Sequence, residues 1–410
     1  MSTPLKFRIF ILFSLGYFVS FAFRGANIGF APFLTQELSL NSSELGFLSS
    51  VYFLGFAVAQ LPAGILLDRY GVRKVTAAMM LFAVLGAVIF ANAHSLLTLT
   101  IGRLLIGLGV SVCLGGAFKA LAQTFAHHHL PLLNGMVMAI GGMGGVLVGS
   151  PLTWLLTLTS WRMVSLGMAG VTLLVAALLY LGGTVPHAAA SGQARLREQV
   201  RGMGEVLKSR AFWRIASLCG VSQGVFYAMQ SLWLGAYLRD VVHADPAQAA
   251  EFISIVGVAM MAGCLFLGAL ARYIGRWLSL HAFAGLAMMG FIVVQLLILL
   301  QVPLPQNLLW ACYGVLGSSG ILCYADLPKV FPSHIVGRVS MSLNFVIFMF
   351  VLAFQVGVGA VLNLWPAQQG QAPASAHWLA WGILIAFQLV AAFYYCRKPV
   401  SALSKPLTAS

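Results

Sequence analysis

The stretch that most constrains this chain is Gly64-Ile65-Leu66-Leu67-Asp68-Arg69-Tyr70-Gly71-Val72-Arg73-Lys74. Its charges, Asp68, Arg69, Arg73 and Lys74, stand between two long apolar runs in a chain that is only 8% charged. A polar knot this short leaves no room for a soluble domain, so it reads as a tight turn where two membrane helices meet at the water boundary. Gly64 and Gly71 let backbones approach and turn, and Asp68 can pair with a basic neighbour or a helix N-terminus. Apolar residues make up 60% of the 410, and the mean hydropathy is +0.94. No soluble domain buries that much apolar surface, so the expected class is an all-α polytopic membrane protein.

The same segment resembles the signature loop between the second and third helices of the major facilitator superfamily, glycine-x-x-x-aspartate-arginine-x-glycine-x-arginine-lysine. Its glycine spacing returns half a chain later in Gly268-Ala269-Leu270-Ala271-Arg272-Tyr273-Ile274-Gly275-Arg276, with Arg272 where Asp68 stood. A weak repeat over half a protein suits duplicated transporter halves, although this second copy also reads simply as a positively charged turn. The resemblance implies twelve transmembrane helices in two pseudo-symmetric six-helix halves. The expected halves are residues 1–184 and 211–410, joined by a cytoplasmic linker over 185–210. Asp68, Arg69 and Arg73 then belong to the gating machinery at the inner boundary rather than to the binding site.

The net charge of +14 invites a nucleic-acid reading, but the placement of the charges excludes it. Of the 23 Lys and Arg, all but Arg24, Arg103, Lys119, Arg162 and Arg239 fall on one side of the expected loops. That asymmetry puts both termini in the cytoplasm of a bacterial-type inner membrane. Cys113, Cys219, Cys264, Cys312, Cys323 and Cys396 are scattered singly, without disulfide or ligand spacing. The apolar N-terminus lacks a cleavage site and runs on into Arg24, so it reads as the first helix, not a removable signal. His127-His128-His129 could suggest metal, but three consecutive histidines cannot all face one ion from a helix. A solvated loop is the better reading. No cofactor is implied: no nucleophile–base pair, phosphate-cradling loop or ATP motif is visible, and energy must come from gradients.

Spanning-length apolar runs place helix 1 near 8–34, helix 2 near 44–67, helix 3 near 75–93 and helix 4 near 98–125. Helix 5 is expected near 132–158, helix 6 over 162–181, helix 7 near 212–238 and helix 8 near 251–271. Helix 9 is expected over 277–300, helix 10 over 307–327, helix 11 near 338–364 and helix 12 near 378–396. The linker reads partly as an amphipathic surface helix. Helix 5 carries Gly135, Gly141, Gly142, Gly144, Gly145 and Gly149 before Pro151, a pattern for close helix packing and a bend. It resembles the glycine-proline motif of the superfamily's antiporter branch, except that Ser150 separates Gly149 from Pro151.

Charges inside apolar helices each need an account. Arg24 lies about 24 Å along the helix from Arg8, too deep to reach the inner surface easily. The run Tyr17-Phe18-Val19-Ser20-Phe21-Ala22-Phe23-Arg24-Gly25-Ala26-Asn27 resembles the first helix of the superfamily's organic-anion branch. Leu45-Gly46-x-Leu48-x-Ser50-x-Tyr52-Phe53 and Gln60-Leu61-Pro62 extend the likeness, while Phe23 replaces an acid common in that branch. The resemblance implies that Arg24 contacts a substrate carboxylate or phosphate; the alternative is snorkelling to the outer interface. Lys119 and Asp326 occupy nearly equivalent places in the two halves, an inner gate if both face the cavity. Alternatively, Lys119 reaches the cytoplasmic interface and Asp326 pairs with Lys329. Arg103, in Arg103-x-x-x-Gly107-x-Gly109, resembles the superfamily's helix-4 motif and implies a coupling or structural role. Gln223, Tyr227, Gln230 and Trp233 recur on one face of helix 7, and Tyr52 and Asn344 are similar candidates for polar contacts in a cavity. Each of these could instead make a helix–helix hydrogen bond.

The reading is a secondary transporter that works by alternating access on a small organic anion, with a proton as a possible coupling ion. It is a monomer in a lipid bilayer, with no enzyme activity and no nucleic-acid partner. An exporter of amphipathic metabolites and a non-translocating sensor remain as alternatives.

Overall fold

The computed structural model describes residues 3–126, 130–182, 196–274, 277–327, 330–331, 336–366 and 371–396. Helix 1 is Thr3–Leu38, helix 2 Ser42–Tyr70, helix 3 Val72–Ala91 and helix 6 Trp161–Gly182. Helix 4 is Leu96–Val110 continued by Cys113–Thr124, and helix 5 is Leu130–Val146 continued by Ser150–Leu158. A linker helix, Leu196–Leu207, precedes helix 7, which joins Arg210–Ala228, a π-helical turn Met229–Trp233, and Leu234–Asp240. Helix 8 is Pro246–Ile274, helix 9 Leu280–Leu299, helix 11 Val336–Leu362 and helix 12 Ala374–Cys396. Helix 10 is Gln306–Gly317, a 3₁₀ turn Ser318–Gly320, and Ile321–Asp326. Among the described residues, ten helices are long and apolar enough to span a membrane, and the bent halves of helix 5 make an eleventh. The twelfth is helix 7, made more polar by Arg214, Gln223 and Gln230.

The helices start and stop for local reasons. Asn41 caps helix 2 by accepting from the Glu44 N–H at 3.0 Å while Glu44 accepts from the Asn41 N–H at 2.9 Å. Ser95 and Thr98 make the same reciprocal box at helix 4. The signature segment is tighter than expected. Helix 2 runs on to Tyr70, only Gly71 breaks it, and helix 3 begins at Val72. Gly71 has φ 84° and ψ 148°, a conformation that side chains with a Cβ rarely adopt. In helix 5 the two pieces meet at 41°, with Pro151 in the first turn of the second.

Twelve crossings put the start of helix 1 and the end of helix 12 on one side, the terminal face; the other is the distal face. Gly182, ending helix 6, accordingly lies beside Arg8 and Leu12 of helix 1. The halves meet along helix 2 against helix 11 and helix 5 against helix 8. Helix 5 also presses on helix 1, where a Cβ on Gly144 would stand 2.2 Å from the Phe18 carbonyl oxygen. That contact needs glycine, which is the packing use expected of the helix-5 glycines. The linker helix turns Met203 and Val206 inward and packs across helices 11 and 2. His127–His129, Arg276 and residues 183–195 of the linker lie outside the described residues.

Candidate functional site

Arg24 is 8% exposed and enclosed by rings. Its guanidinium carbon lies 4.4 Å from the Phe21 ring centre, 5.4 Å from Phe56, 5.4 Å from Tyr227 and 5.7 Å from Phe348. Phe21 and Phe56 come from helices 1 and 2, Tyr227 and Phe348 from helices 7 and 11, so both halves build the cage. Rings can hold a cation by their quadrupoles but cannot neutralise it. No carboxylate among the described residues comes within ion-pair distance, and Nε is buried with no hydrogen-bond partner there. The snorkelling alternative is thereby corrected: the guanidinium turns into the seam between the halves, not to the distal interface.

Three cavities run in series through this point. A vestibule of about 610 Å³ lies among the distal ends of helices 1, 2, 5, 7, 8 and 11. An inner chamber of about 150 Å³ lies between helices 1, 5, 7, 8 and 10. Between them a neck of about 10 Å³ is lined by Arg24, Gln230 and Ser231. The neck shares Val148 and Ile253 with the vestibule, and Phe21 and Tyr227 with the chamber. Arg24 thus stands at the constriction of a path along the interface. The π turn of helix 7 helps to build it by inserting an extra residue at Gln230 and Ser231, a feature frequent at functional sites.

The model of the Major Facilitator Superfamily matches residues 13–355. The chain belongs to that superfamily. It is a multi-pass membrane transporter, not an enzyme. It is 24% identical to a probable sulfoacetate transporter of Cupriavidus necator over 64% of this chain and 64% of that protein. It is also 24% identical to the hexuronate transporter of Escherichia coli K12 over 68% of this chain and 67% of the other. The chain therefore matches only about two thirds of the length of these relatives. A bacterial homologue of the human lysosomal transporter Spinster, inward-facing and unoccupied, superposes with a TM-score of 0.76 at 16% identity. That match covers 96% of this chain and 97% of the other, and it carries the fold alone.

Within this major facilitator frame the other expected residues fall in different places. Gln223 and Tyr227 line the chamber, Tyr227 and Gln230 the neck, and Trp233 the vestibule. The single face expected for helix 7 is therefore stepped through all three cavities by the π turn. Gln223 Nε2 already donates to the Gly317 carbonyl at 2.7 Å. Tyr52 is buried behind Arg24, and its hydroxyl donates to the Ser20 carbonyl at 3.2 Å, so it lines none of the three cavities. Arg103 is 2% exposed, lies over the Phe90 ring, and donates to the Phe23 carbonyl at 3.2 Å and to Asn27 Oδ1. Asn27 in turn donates to Ser49 Oγ. This cluster fastens helices 1, 2 and 4 together one turn from Arg24.

Several expectations are corrected. Asn344 lines none of the three cavities: Nδ2 donates to Gln60 Oε1 at 3.0 Å and Oδ1 accepts from the Tyr324 hydroxyl at 2.9 Å. The Lys119–Asp326 gate is not found among the described ion pairs. Lys119 is half-buried and lines none of the three cavities, while the Asp326 carboxylate pairs with His281 Nδ1 at 3.1 Å. Arg69 lies over Tyr70 and Arg73 over Tyr180 of helix 6, both at the terminal face. The Asp68 side chain lies outside the described residues.

A second buried acid, Asp240, closes helix 7. Its side chain is 2% exposed at the distal end of helix 7. It accepts from Arg239 Nε at 2.6 Å, His377 Nε2 at 3.0 Å and the Ala372 N–H at 3.2 Å. Sequence reasoning missed this cluster and missed His281, because each partner comes from a distant element. The one available signal was His377 itself, a titratable group at the start of an apolar span.

Proposed function

We propose that this protein carries a small organic anion across a bacterial inner membrane by alternating access, with Arg24 as the anchor for the anionic group. The observation that carries the proposal is a buried arginine, caged by rings from both halves, at the neck between two cavities. Such a charge costs a few kcal/mol in a membrane unless a partner or a wet cavity compensates it. A substrate carboxylate, sulfonate or phosphate is that partner, and a guanidinium matches it with paired hydrogen bonds. The names of the two relatives, for sulfoacetate and hexuronate, support an anion. In this reading the halves are residues 1–184 and 211–410 with a linker over 185–210, both termini are cytoplasmic, and the chain works as a monomer.

The test is binding to purified protein of anions drawn from a thermal-shift screen. Arg24→Ala should nearly abolish binding, and Arg24→Lys, which keeps the charge but loses the fork, should weaken it at least about tenfold. An exporter of cationic or neutral amphiphiles gains nothing from this arginine. Unchanged affinity in Arg24→Ala would remove the reason for an anion.

A further inference from the structure

The chamber beside the neck points to the rest of the substrate. Aromatic rings and thioethers dominate its walls: Tyr17, Phe21, Tyr227 and Tyr324, with Met260 and Met261. No charged side chain lines it among the described residues. Its polar groups are mostly committed. Gln223 Nε2 donates to Gly317, Ser318 Oγ donates to the Val315 carbonyl at 2.7 Å, and the Tyr324 hydroxyl donates to Asn344. The hydroxyls of Tyr17 and Tyr227 make no hydrogen bond among the described residues.

A polyhydroxylated sugar acid would bring several hydroxyls into this space, and each one left unpaired weakens binding. A flat ring fits instead: tyrosine faces and methionine sulfurs are favourable neighbours for it. Size agrees, since an apolar cavity of about 150 Å³ is large enough for one benzene ring. Phe21 lines both the chamber and the neck, and its ring centre lies 4.4 Å from the Arg24 guanidinium carbon, a short offset between the two places. A short chain between ring and carboxylate spans that offset. We propose that the substrate is an aromatic monocarboxylate of the arylalkanoate type, its ring in the chamber and its carboxylate at Arg24. The proposal rests on the Arg24 reading and narrows it away from sugar acids.

The test measures binding of phenylacetate, phenylacetamide and glucuronate to the purified full chain in nanodiscs. Phenylacetate should bind at least about tenfold tighter than either of the others. Ala139→Phe, which fills the chamber, should weaken phenylacetate by a similar factor, and Ala139→Leu should do so less, with folding of each variant checked by thermal unfolding. Glucuronate binding tighter than phenylacetate overturns the ring assignment and leaves the Arg24 anchor standing. Phenylacetamide binding as well as phenylacetate overturns the anchor itself. The ring assignment also fails if none of the three binds, or if a folded Ala139→Phe keeps full affinity for phenylacetate.

Discussion

Asn344 of helix 11 and Gln60 of helix 2 join the two halves side chain to side chain, Nδ2 donating to Oε1 at 3.0 Å. The bond lies on the terminal side of Arg24, where a Cβ added to Gly64 would stand 3.5 Å from Met341 Cε. On the distal side Asn363, just past the end of helix 11, donates to Asn41 and Ser43, each at 3.0 Å, and accepts from the Ser42 N–H at 3.1 Å. The seam between helices 2 and 11 is therefore pinned at both ends, with the arginine cage between.

If the Gln60–Asn344 bond helps to close the terminal side, breaking it should favour opening there. A net worth of about 0.5–1.5 kcal/mol corresponds to a several-fold change in population. A cysteine placed at Gly64 should be alkylated several-fold faster in Asn344→Ala or Gln60→Leu than in the parent. Equal rates would mean that the bond is spectator packing.

The signature segment should control switching rather than affinity. None of its described residues lines the vestibule, neck or chamber. Asp68→Asn should slow transport while equilibrium affinity stays within a few-fold. Loss of affinity in a folded Asp68→Asn protein contradicts this placement.

Asp240 should matter for stability. Its removal leaves His377, itself 4% exposed, and the Ala372 N–H without their acceptor, while half-exposed Arg239 can turn to water. A buried donor left unpaired costs about 1–3 kcal/mol and a half-buried one less, so Asp240→Ala should lower the thermal midpoint by several degrees. His377→Gln keeps an N–H donor and should cost less. A thermal scan in which Asp240→Ala matches the parent would assign the cluster no structural weight.

How much of this was legible in the sequence follows from the range of the interactions. The spans were readable because apolar length is a local property, and Arg24 stood out because a charge in such a run is costly wherever it points. Asp326 drew attention for the same reason, but its partner His281 lies 45 residues away on another helix. Asp240 and His377 are 137 residues apart, and Gln60 and Asn344 are 284 apart, beyond what spacing on one helix can indicate. The extra residue of the π turn carries no sequence signal, so the helix-7 face was drawn straight. The pairing of Lys119 with Asp326 came from aligning the halves, and symmetry of backbone did not extend to side-chain partners.

If transport is proton-coupled, the Asp326–His281 pair is a candidate site for the proton, and it makes the last prediction. The carboxylate is buried near the terminal ends of helices 9 and 10. The imidazole stacks on Tyr395 at 4.0 Å, and the Tyr395 hydroxyl donates to the His281 carbonyl at 2.7 Å. A carboxylate in contact with an imidazole is a chemical pair able to hold a transported proton, and replacing the acid with its amide removes that capacity while keeping the shape. Asp326→Asn in proteoliposomes should therefore lose uptake driven by a pH gradient, yet retain exchange of substrate across the membrane. His281→Gln should keep the carboxylate and slow gradient-driven uptake without abolishing it. An Asp326→Asn protein that still accumulates substrate against its gradient would exclude this pair from coupling, and would leave a uniporter or another ion as the explanation.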